Sequence, residues 1–533
     1  MWKTWLVAGV VAVFLALVFA LPYGAQNQAT YLLDPLHRAM PELYRRDWFV
    51  HQPPYLPVFG WLAQWLFRLD PDGSIAILTA YAVLTIATYL VLYWLVAAIA
   101  PAWQPYVLVA CFVTATIGSS MGASYLLGQY LQPSSLATLG WIVAIGAFVR
   151  ARYLACGIAL ALAGAAHPNF LVLGIGLFGL CAVARRELSL IEYAKLFAPQ
   201  VVVLAAFLPL LLSATGPSGD ALQILSKFHA PYHYAPGRLT VWIPGLLLWQ
   251  LAAFAALKVA PPTREAQALW LFSLVGCAIT VGSALLMRYA HLLALTQLFF
   301  SRIAPFEQLA CQVLIAAALC RREAAPIVRR LVLAFATIAA LASVAYYIPR
   351  LFPLPGAAIA AAGVLVVLAT PPRIARVALT AFALVAVAAT WTVSTRGNGL
   401  TTAPGASPGE TTLTAWAREQ TPVDSLFLIP PGLDPFRLLA RRAVVVDLKS
   451  PPLRPDLLVA WYRRVLEAVG LPEAPALTTR AAVLARYDQL TFAELVAIAH
   501  QFSADYIVTR GKTQMPAAPV YQNPDFAVYV TPR

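Results

Sequence analysis

The hydrophobic positions of this chain fall in long runs that are separated by short polar segments. Many runs are about 18–22 residues long, enough for a helix to cross a hydrocarbon core of about 30 Å. A β-barrel would instead show short segments in which apolar and polar positions alternate. We therefore predict a polytopic α-helical membrane protein with about thirteen spans. Their approximate bounds are 4–22, 74–100, 103–121, 135–150, 153–167, 169–184, 196–215, 239–258, 266–287, 305–320, 331–348, 355–370 and 374–395.

The first apolar run, 4–22, shares with signal peptides a lysine before its apolar stretch. It ends at Leu21-Pro22-Tyr23, however, without a clear small-x-small cleavage site. A retained first span is therefore the interpretation that the sequence favours.

The last quarter of the chain has a different pattern, in which short apolar strands alternate with amphipathic helices. We predict strands at 425–429, 443–446, 506–508 and 526–530, and helices at 456–469 and 491–502. Such alternation is typical of a small α/β domain with a partly parallel sheet. The predicted organisation is a membrane domain over 1–396, a Gly/Thr/Pro/Ser-rich linker over 397–410, and an extracytoplasmic α/β domain over 411–533.

Composition and charge support this division. The chain is 61% hydrophobic and only 11% charged, whereas soluble domains carry roughly a quarter charged residues. The net charge of +14 could suggest nucleic acid, but many basic residues form clusters in short segments between apolar runs. Cytoplasmic loops show this pattern. With a cytoplasmic N-terminus every such cluster is cytoplasmic, the loop 23–73 and the tail lie outside, and no nucleic-acid partner is expected.

The first outer loop, 23–73, carries candidate chemistry between two amphipathic stretches. A carboxylate at the boundary between water and membrane can act as a general base or help to bind a divalent metal. Asp34 and Asp47 are therefore the catalytic candidates, and His51 is a candidate for substrate binding. In the alternative interpretation these side chains only cap and solvate the amphipathic helices.

A second cluster lies before the eighth predicted span, where Lys227, His229 and His233 alternate with three aromatic residues. Aromatic rings stack on sugars, while lysine and histidine donate hydrogen bonds to phosphate oxygens. We therefore predict a phosphate- and sugar-binding segment, with an interfacial surface loop as the alternative. Pro231 lies between the histidines and argues against a helical metal site.

A third cluster surrounds the tenth predicted span. Arg302 is a candidate for anion binding, and Glu307 lies at the membrane boundary, where a charged group usually faces protein or a water-filled cavity. A structural ion pair between the two is the alternative. His167, in His167-Pro168-Asn169, marks either a functional rim or a helix break.

A first span, a long acidic outer loop, many further spans and a soluble tail together resemble the GT-C superfamily of membrane glycosyltransferases. Several stretches are more closely similar to an uncharacterised bacterial family of GT-C-like membrane proteins. These are Asn27–Leu33, Arg46-Asp47-Trp48-Phe49 with Pro57-Val58-Phe59, His167-Pro168-Asn169-Phe170, His229–Tyr234 and Trp416–Lys449. One departure is the absence of a tandem acidic pair after the first span, since Asp34 and Asp47 stand apart.

The resemblance implies sugar transfer from a polyprenyl-phosphate donor to a glycan or other envelope acceptor, at the outer face of a bacterial inner membrane. Membrane lipid and the lipid-linked sugar are the implied partners, and the tail is periplasmic or extracellular. Whether a divalent cation takes part, and which acid is the base, stays open. The alternatives are a transporter or flippase of lipid-linked or anionic solutes, and a non-catalytic glycolipid-binding envelope protein.

Overall fold

The protein is described by a computed structural model, which is mostly helical with a small C-terminal sheet. It describes residues 2–18, 23–24, 27–53, 56–115, 120–128, 130–213, 219–259, 262–321, 406–452, 454–471, 477–510 and 516–532, with isolated positions between 326 and 334. The three last predicted spans, 331–348, 355–370 and 374–395, lie outside the described residues apart from isolated positions.

Helices dominate the chain up to residue 321. In chain order they are α1 (Trp2–Val18), α2 (Gln28–Tyr31), α3 (Leu33–Ala39), α4 (Pro57–Leu69), α5 (Ser74–Val96), α6 (Trp103–Ala115), α7 (Pro133–Val149), α8 (Tyr153–Ala166), α9 (Pro168–Arg185), α10 (Leu190–Ser213), α11 (Gly219–Gln223), α12 (Pro231–Tyr234), α13 (Pro236–Leu239), α14 (Ile243–Leu257), α15 (Arg264–Tyr289) and α16 (Ala304–Cys320). Short 3₁₀ turns join some of them, and a π-helix covers Ile224–His229.

Six helical stretches in the described part of the chain are long and apolar enough to cross a membrane. They are Ser74–Val96, Pro168–Arg185, Leu190–Pro209, Pro236–Leu257, Arg264–Tyr289 and Leu295–Cys320. Helices α1, α6, α7 and α8 are apolar but shorter. The protein is therefore a multi-pass membrane protein, while the predicted total of thirteen spans is not confirmed.

The membrane helices pack around α16, which is buried along almost its whole length. Trp141 of α7 is fully buried, and its ring contacts the rings of Phe170, Phe178 and Phe306. Aromatic pairs of this kind add about 0.5–1.5 kcal/mol each beyond the area they bury. These ring contacts join α7, α9 and α16 in one apolar core.

The first outer loop contains the helices α3 and α4. Helix α4 buries Phe59 and Phe67 against the rest of the loop and leaves Trp61 and Trp65 exposed, with their rings in edge contact. Exposed tryptophans on one helix face suit the membrane–water interface. Helix α4 therefore has one face for protein and one for lipid.

The tail forms a five-stranded sheet flanked by helices. Its elements are α17 (Pro408–Gln420), β1 (Leu426–Leu428), α18 (Phe436–Ala440), β2 (Ala443–Val444), α19 (Pro455–Glu467), α20 (Arg480–Asp488), α21 (Phe492–Phe502), β3 (Tyr506–Arg510), β4 (Tyr521–Gln522) and β5 (Phe526–Val530). The strand order is β2-β1-β3-β5-β4. Strands β2, β1 and β3 pair in parallel, and β5 pairs antiparallel with both β3 and β4. This mixed sheet is the partly parallel sheet expected from the sequence.

Helix α17 begins earlier than the sequence interpretation allows, inside the predicted linker 397–410. The Ser407 hydroxyl accepts a hydrogen bond from the Glu410 backbone N–H at 3.2 Å, and the Glu410 carboxylate accepts one from the Ser407 N–H at 2.7 Å. This is a capping box, and its Ser-x-x-Glu signature was available in the sequence.

The tail domain is docked on the outer loops through a buried ionic contact. Arg437 of α18 lies 3.0 Å from Asp47 of the first loop and 3.2 Å from Asp447 of the tail, and all three side chains are at most 2% exposed. Phe228 of the π-helix adds an apolar contact, with its ring packed against Trp461. In the sequence, a charged stretch of the tail can be either a solvated surface or an interface with the membrane loops, and the structure has the interface. The stretch consists of Arg437, Arg441, Arg442, Asp447 and Lys449.

Candidate functional site

A cavity of about 260 Å³ lies between the tail domain and the outer segments of the membrane portion. Its walls come mainly from the first loop, the segment after α6, the π-helix with α12, the 3₁₀ turn before α16 and the tail. The charged and imidazole groups that line it are Asp34, His229, His233, Arg302, Lys449, Arg454 and Arg480. Aromatic and amide side chains, among them Asn27, Tyr31, Phe59, Tyr125, Gln132, Tyr232, Tyr234 and Phe299, make up much of the remaining wall.

Asp34 is the acid that lines this cavity. It sits in the first turn of α3, and both of its carboxylate oxygens lie 2.9 Å from the guanidinium of Arg38, one turn further on. Burial raises the pKa of Asp34 above its ordinary value, and the nearby Arg38 opposes this shift. Gly60 of α4 lies beside the carboxylate, where a Cβ atom would be 3.5 Å from Oδ2. Asp34 is thus a half-buried carboxylate with open space next to it.

A neutral hydrogen-bonding network lines another part of the cavity. Gln132 donates from Nε2 to the Tyr125 hydroxyl at 2.6 Å, and Asn27 donates from Nδ2 to Gln132 Oε1 at 3.1 Å. Amides and phenols have both donors and acceptors and carry no charge, so this wall suits the hydroxyl groups of a sugar.

Arg302 is the cation that the membrane portion contributes. Its guanidinium donates to Nε2 of the buried His167 at 2.6 Å and lies over the rings of Phe299 and Phe170, at 4.8 and 5.4 Å from their centroids. No carboxylate among the described residues forms an ion pair with it. Arg302 is therefore fixed in direction while its positive charge is left without a partner anion.

Two neutral imidazoles lie on the cavity wall near Arg302. His233 donates from Nδ1 to the carbonyl of Gly122, a residue whose positive φ of 65° suits glycine. The His229 ring contacts Trp461 edge-on, and its Nδ1 has no hydrogen-bond partner in the structure. Burial lowers the pKa of His229 to about 3 and that of His233 to about 4. Both rings are uncharged at neutral pH. His229 can therefore donate or accept a hydrogen bond, whereas His233, whose one N–H is used by Gly122, can only accept at Nε2.

The lowered pKa values predict how stability responds to acid. An unfolded histidine takes up a proton near pH 6.5, whereas His229 and His233 resist protonation until about pH 3–4. The unfolded chain then binds more protons, so stability is complete above pH 6.5 and is lost as the pH falls from 6.5 toward 4.

We expect thermal unfolding midpoints measured in lipid nanodiscs to fall over this interval less steeply in His229→Gln and His233→Gln than in the parent. The difference is expected to be up to one bound proton per histidine. His500→Gln, on an exposed helix end of the tail, is the control and should keep the parent slope. Equal slopes in all four proteins would contradict the prediction.

The tail supplies cations that the sequence interpretation did not assign to the site. Lys449 and Arg480 line the cavity, and Arg480 donates to the main-chain carbonyl of His229 at 3.2 Å. Arg454 also lines it but is paired with Asp456 at 2.7 Å. In the sequence, the feature that points to Lys449 is the charged stretch to which it belongs. The resemblance covers this stretch without giving it a role.

Asp47 does not line the cavity. Its carboxylate is fully buried, accepts hydrogen bonds from the N–H groups of Phe49, Val50 and Val444 at 3.0–3.3 Å, and lies 3.0 Å from Arg437. These partners occupy both oxygens, so the contacts of Asp47 are those of a docking residue. Of the two candidate bases, Asp34 is the one that faces the cavity.

Four other predicted site residues also lie away from the cavity wall, and one of them, His167, contacts the site through its hydrogen bond from Arg302. His51 is exposed, with Nε2 hydrogen-bonded to the Arg45 carbonyl at 2.9 Å. Lys227 is exposed on the π-helix and donates to Gln223 at 3.4 Å. Glu307 is buried in α16, where Oε2 accepts from Thr280 at 3.1 Å. Among the described residues Glu307 makes no ion pair with Arg302, so the alternative of a structural pair is not seen.

Within the described ranges, no three histidine, cysteine, aspartate or glutamate side chains are grouped so that they could hold a metal ion. The charged walls of the cavity are instead formed mainly by cations, as expected of a site for an anionic ligand.

Comparisons with known proteins give one family match and likenesses to two kinds of solved structure. The family described as a domain of unknown function, DUF6798, matches residues 409–468, the first part of the tail. The chain is similar to ArnT from Cupriavidus metallidurans bound to undecaprenyl phosphate, at 14% identity and a TM-score of 0.49, over 98% of this chain and 96% of that one.

It is also similar to the archaeal oligosaccharyltransferase AglB from Archaeoglobus fulgidus, in complex with an inhibitory peptide and a dolichol-phosphate. That likeness has 10% identity and a TM-score of 0.47, over 95% of this chain and 69% of that one. No curated protein matches the chain.

Proposed function

We propose that this protein is a membrane glycosyltransferase that takes a sugar from a polyprenyl-phosphate donor and transfers it to an acceptor hydroxyl at the outer face of the inner membrane. One observation carries the proposal. A single cavity brings together Asp34, an acid from the first outer loop, and Arg302, a cation from the 3₁₀ turn before α16 that has no acidic partner in the described part of the chain. These are the two charges that such a transfer needs.

In the proposed step Asp34 takes the proton from the acceptor hydroxyl, whose oxygen attacks the anomeric carbon. The bond from that carbon to the phosphate oxygen breaks, and the leaving phosphate keeps the electron pair. The raised pKa of Asp34 makes its carboxylate a stronger base than an exposed aspartate. Activity therefore requires deprotonated Asp34 and is lost as the pH falls. The loss occurs at a higher pH than it would if the base were an exposed aspartate.

The leaving phosphate is stabilised by groups that are already in position. Arg302 is held between Phe170 and Phe299, and His167 accepts its hydrogen bond, so little reorganisation is needed when charge develops. His229, neutral and on the same wall, can donate a further hydrogen bond to the phosphate. The network of Asn27, Tyr125 and Gln132 is the proposed contact for the sugar hydroxyls.

The lipid part of the donor requires an apolar path to the cavity. Phe49, Val50, Leu56 and Phe59 line the cavity on the side of the first loop, and α4 carries exposed tryptophans on its opposite face. Apolar lining next to an interfacial helix supports a donor that is itself a membrane lipid. The position of the charged residues favours sugar transfer over transport, because they line the cavity, whereas transporters usually place such groups near the middle of the spans.

The test offers a panel of polyprenyl-phosphate sugars to the purified protein in lipid nanodiscs and follows donor consumption and donor binding. The parent should consume at least one donor. Arg302→Gln should weaken binding of that donor about tenfold or more, because a charge-assisted hydrogen bond contributes about 1.5–3 kcal/mol. Arg302→Lys should be intermediate, since it keeps the charge and loses the planar stacking.

Donor binding that depends on Arg302, without turnover of any donor, would replace the transferase with a lipid-binding or flippase function. Absence of both binding and turnover for the whole panel would contradict the proposal. Arg463→Gln, an exposed arginine of the tail outside the cavity, serves as the control and should match the parent.

A further inference from the structure

Two cations in the cavity are left unused by the transfer step. Lys449 and Arg480 both belong to the tail domain and are half-buried. The ammonium group of Lys449 has no hydrogen-bond or ion-pair partner among the described residues, and burial lowers its pKa. Within the described ranges, the guanidinium of Arg480 donates to one main-chain carbonyl, that of His229, and forms no ion pair. Burying positive charge without an anion is costly, so this arrangement indicates a missing negative ligand.

Acidic side chains close by do not neutralise these charges. Asp434 is near enough to influence the pKa of Lys449, but it forms no ion pair with Lys449 or Arg480 among the described residues. Burial raises the pKa of Asp434 to about 7, so it carries only part of a negative charge at neutral pH. Asp447 forms an ion pair with Arg437 at 3.2 Å and accepts hydrogen bonds from the N–H groups of Lys449 and Ser450.

The backbone holds both cations in place. The Lys449 N–H donates to Asp447 Oδ1 at 2.9 Å, and its carbonyl accepts from the Thr30 hydroxyl of the first loop at 2.9 Å. Arg480 opens α20 directly after the cap residue Thr479, whose hydroxyl accepts from Ala482 at 3.1 Å. A pair of fixed cations is therefore presented from the tail to the cavity.

These cations belong to a different wall from Arg302. Arg302 is anchored in the membrane portion by His167 and two phenylalanine rings, whereas Lys449 and Arg480 are anchored in the docked tail. His233 lies within the electrostatic reach of both Arg302 and Lys449, and His229 within that of Lys449 and Arg480. His233 is thus near both sets of positive charge, and His229 is near the set from the tail.

We propose that Lys449 and Arg480 form a second anion subsite, separate from the Arg302 subsite, which binds a second phosphate or carboxylate group during the reaction. The proposal rests on the proposed function in so far as the first anion is the carrier phosphate. The second group belongs either to the donor, as the second phosphate of a diphosphate carrier, or to an anionic acceptor. Both sources present the same chemistry to the same two side chains.

The experiment measures binding to the full-length protein in nanodiscs by calorimetry, with farnesyl phosphate and farnesyl diphosphate as probes. A further titration adds inorganic phosphate to protein saturated with farnesyl phosphate. The variants are Lys449→Gln, Arg480→Gln and Arg302→Gln, and Arg463→Gln is the control because it removes an exposed tail arginine outside the cavity.

If the second anion belongs to the donor, the parent binds farnesyl diphosphate more tightly than farnesyl phosphate. Lys449→Gln and Arg480→Gln each weaken the diphosphate about tenfold and the monophosphate less than about twofold. If it belongs to the acceptor, inorganic phosphate binds to the loaded parent, and the same two variants weaken that second binding. In both cases Arg302→Gln weakens farnesyl phosphate.

Two results would overturn the subsite. Lys449→Gln and Arg480→Gln could weaken farnesyl phosphate as much as Arg302→Gln does, which would mean one convergent site. They could also leave every probe unchanged while Arg302→Gln weakens farnesyl phosphate, and then the proposed function would survive without the subsite. Phosphate binding that depends on Lys449 and Arg480, without any binding of farnesyl phosphate, would instead keep the subsite and remove the proposed function.

Discussion

Asp34→Asn should lower turnover of the sugar donor by about 10²–10⁴-fold and leave donor binding within about twofold of the parent. An amide of the same shape cannot accept the proton of the acceptor hydroxyl, and a positioned general base contributes about this factor. The change removes the ion pair with Arg38, but that pair is half-exposed and lies within one helix, so it contributes little to stability. Initial rates with saturating donor, beside a direct binding measurement, check the prediction.

Asp47→Asn is the matched control, since Asp47 was an equal candidate for the base on sequence grounds. Its carboxylate is occupied by Arg437 and three backbone N–H groups, so its replacement should lower the unfolding temperature and leave turnover per folded molecule near the parent value. The assignment of the base would be reversed if Asp47→Asn abolished turnover in a protein of normal stability while Asp34→Asn remained active.

The comparison of Asp34 with Asp47 shows where sequence reasoning stops. Both are isolated acids in the same loop, and their neighbours give no sign of which way each side chain points. The two acids differ because Arg437, which is distant in the sequence, forms an ion pair with Asp47 when the tail docks. Asp34 has its cation one turn along its own helix and keeps its place on the cavity wall. A contact between residues distant in sequence therefore determines which acid faces the cavity, and the local sequence pattern does not predict that contact.

The same limit applies to the basic residues that line the cavity. Arg302, His229 and His233 were candidates from the sequence because each lies beside an apolar run, where polar groups are costly and therefore conspicuous, and all three line the cavity. Lys449 and Arg480 lie in a soluble domain, where charged residues are ordinary, and only the docking of that domain turns them toward the cavity. Lys227, in contrast, is close to His229 in sequence, but its side chain is exposed on the π-helix and does not line the cavity.

Elements with strong local signals were the more predictable part of the fold. The apolar runs of α5, α9 and α15 and the amphipathic pattern of α4 predict helices close to those in the structure. The short β4, Tyr521–Gln522, has too few residues for a pattern to form, and it exists only because β5 pairs with it. Helix α17 did have a local signal, the capping box at Ser407, which the linker composition around it obscures.

Arg437→Met should lower the stability of the docked tail by about 3–5 kcal/mol, the usual cost of removing one partner from a buried ionic cluster. Methionine fills much of the same space, so the main effect is electrostatic. Asp47 and Asp447 would be left facing each other, at most 1% exposed, without the cation that holds them together. The expected result is a lower midpoint of thermal unfolding in lipid nanodiscs, together with faster proteolysis of the tail.

Because Thr30 and the π-helix contact the cavity-lining residues of the tail, loss of docking should also remove Lys449 and Arg480 from the cavity. Arg437→Met should therefore reduce binding of the second anion even though Arg437 does not line the site. Arg463→Met, exposed on α19, is the matched control and should stay within about 0.5 kcal/mol of the parent. Parent-like stability and anion binding in Arg437→Met would mean that the tail is held on the outer loops by apolar contacts alone, such as that between Phe228 and Trp461.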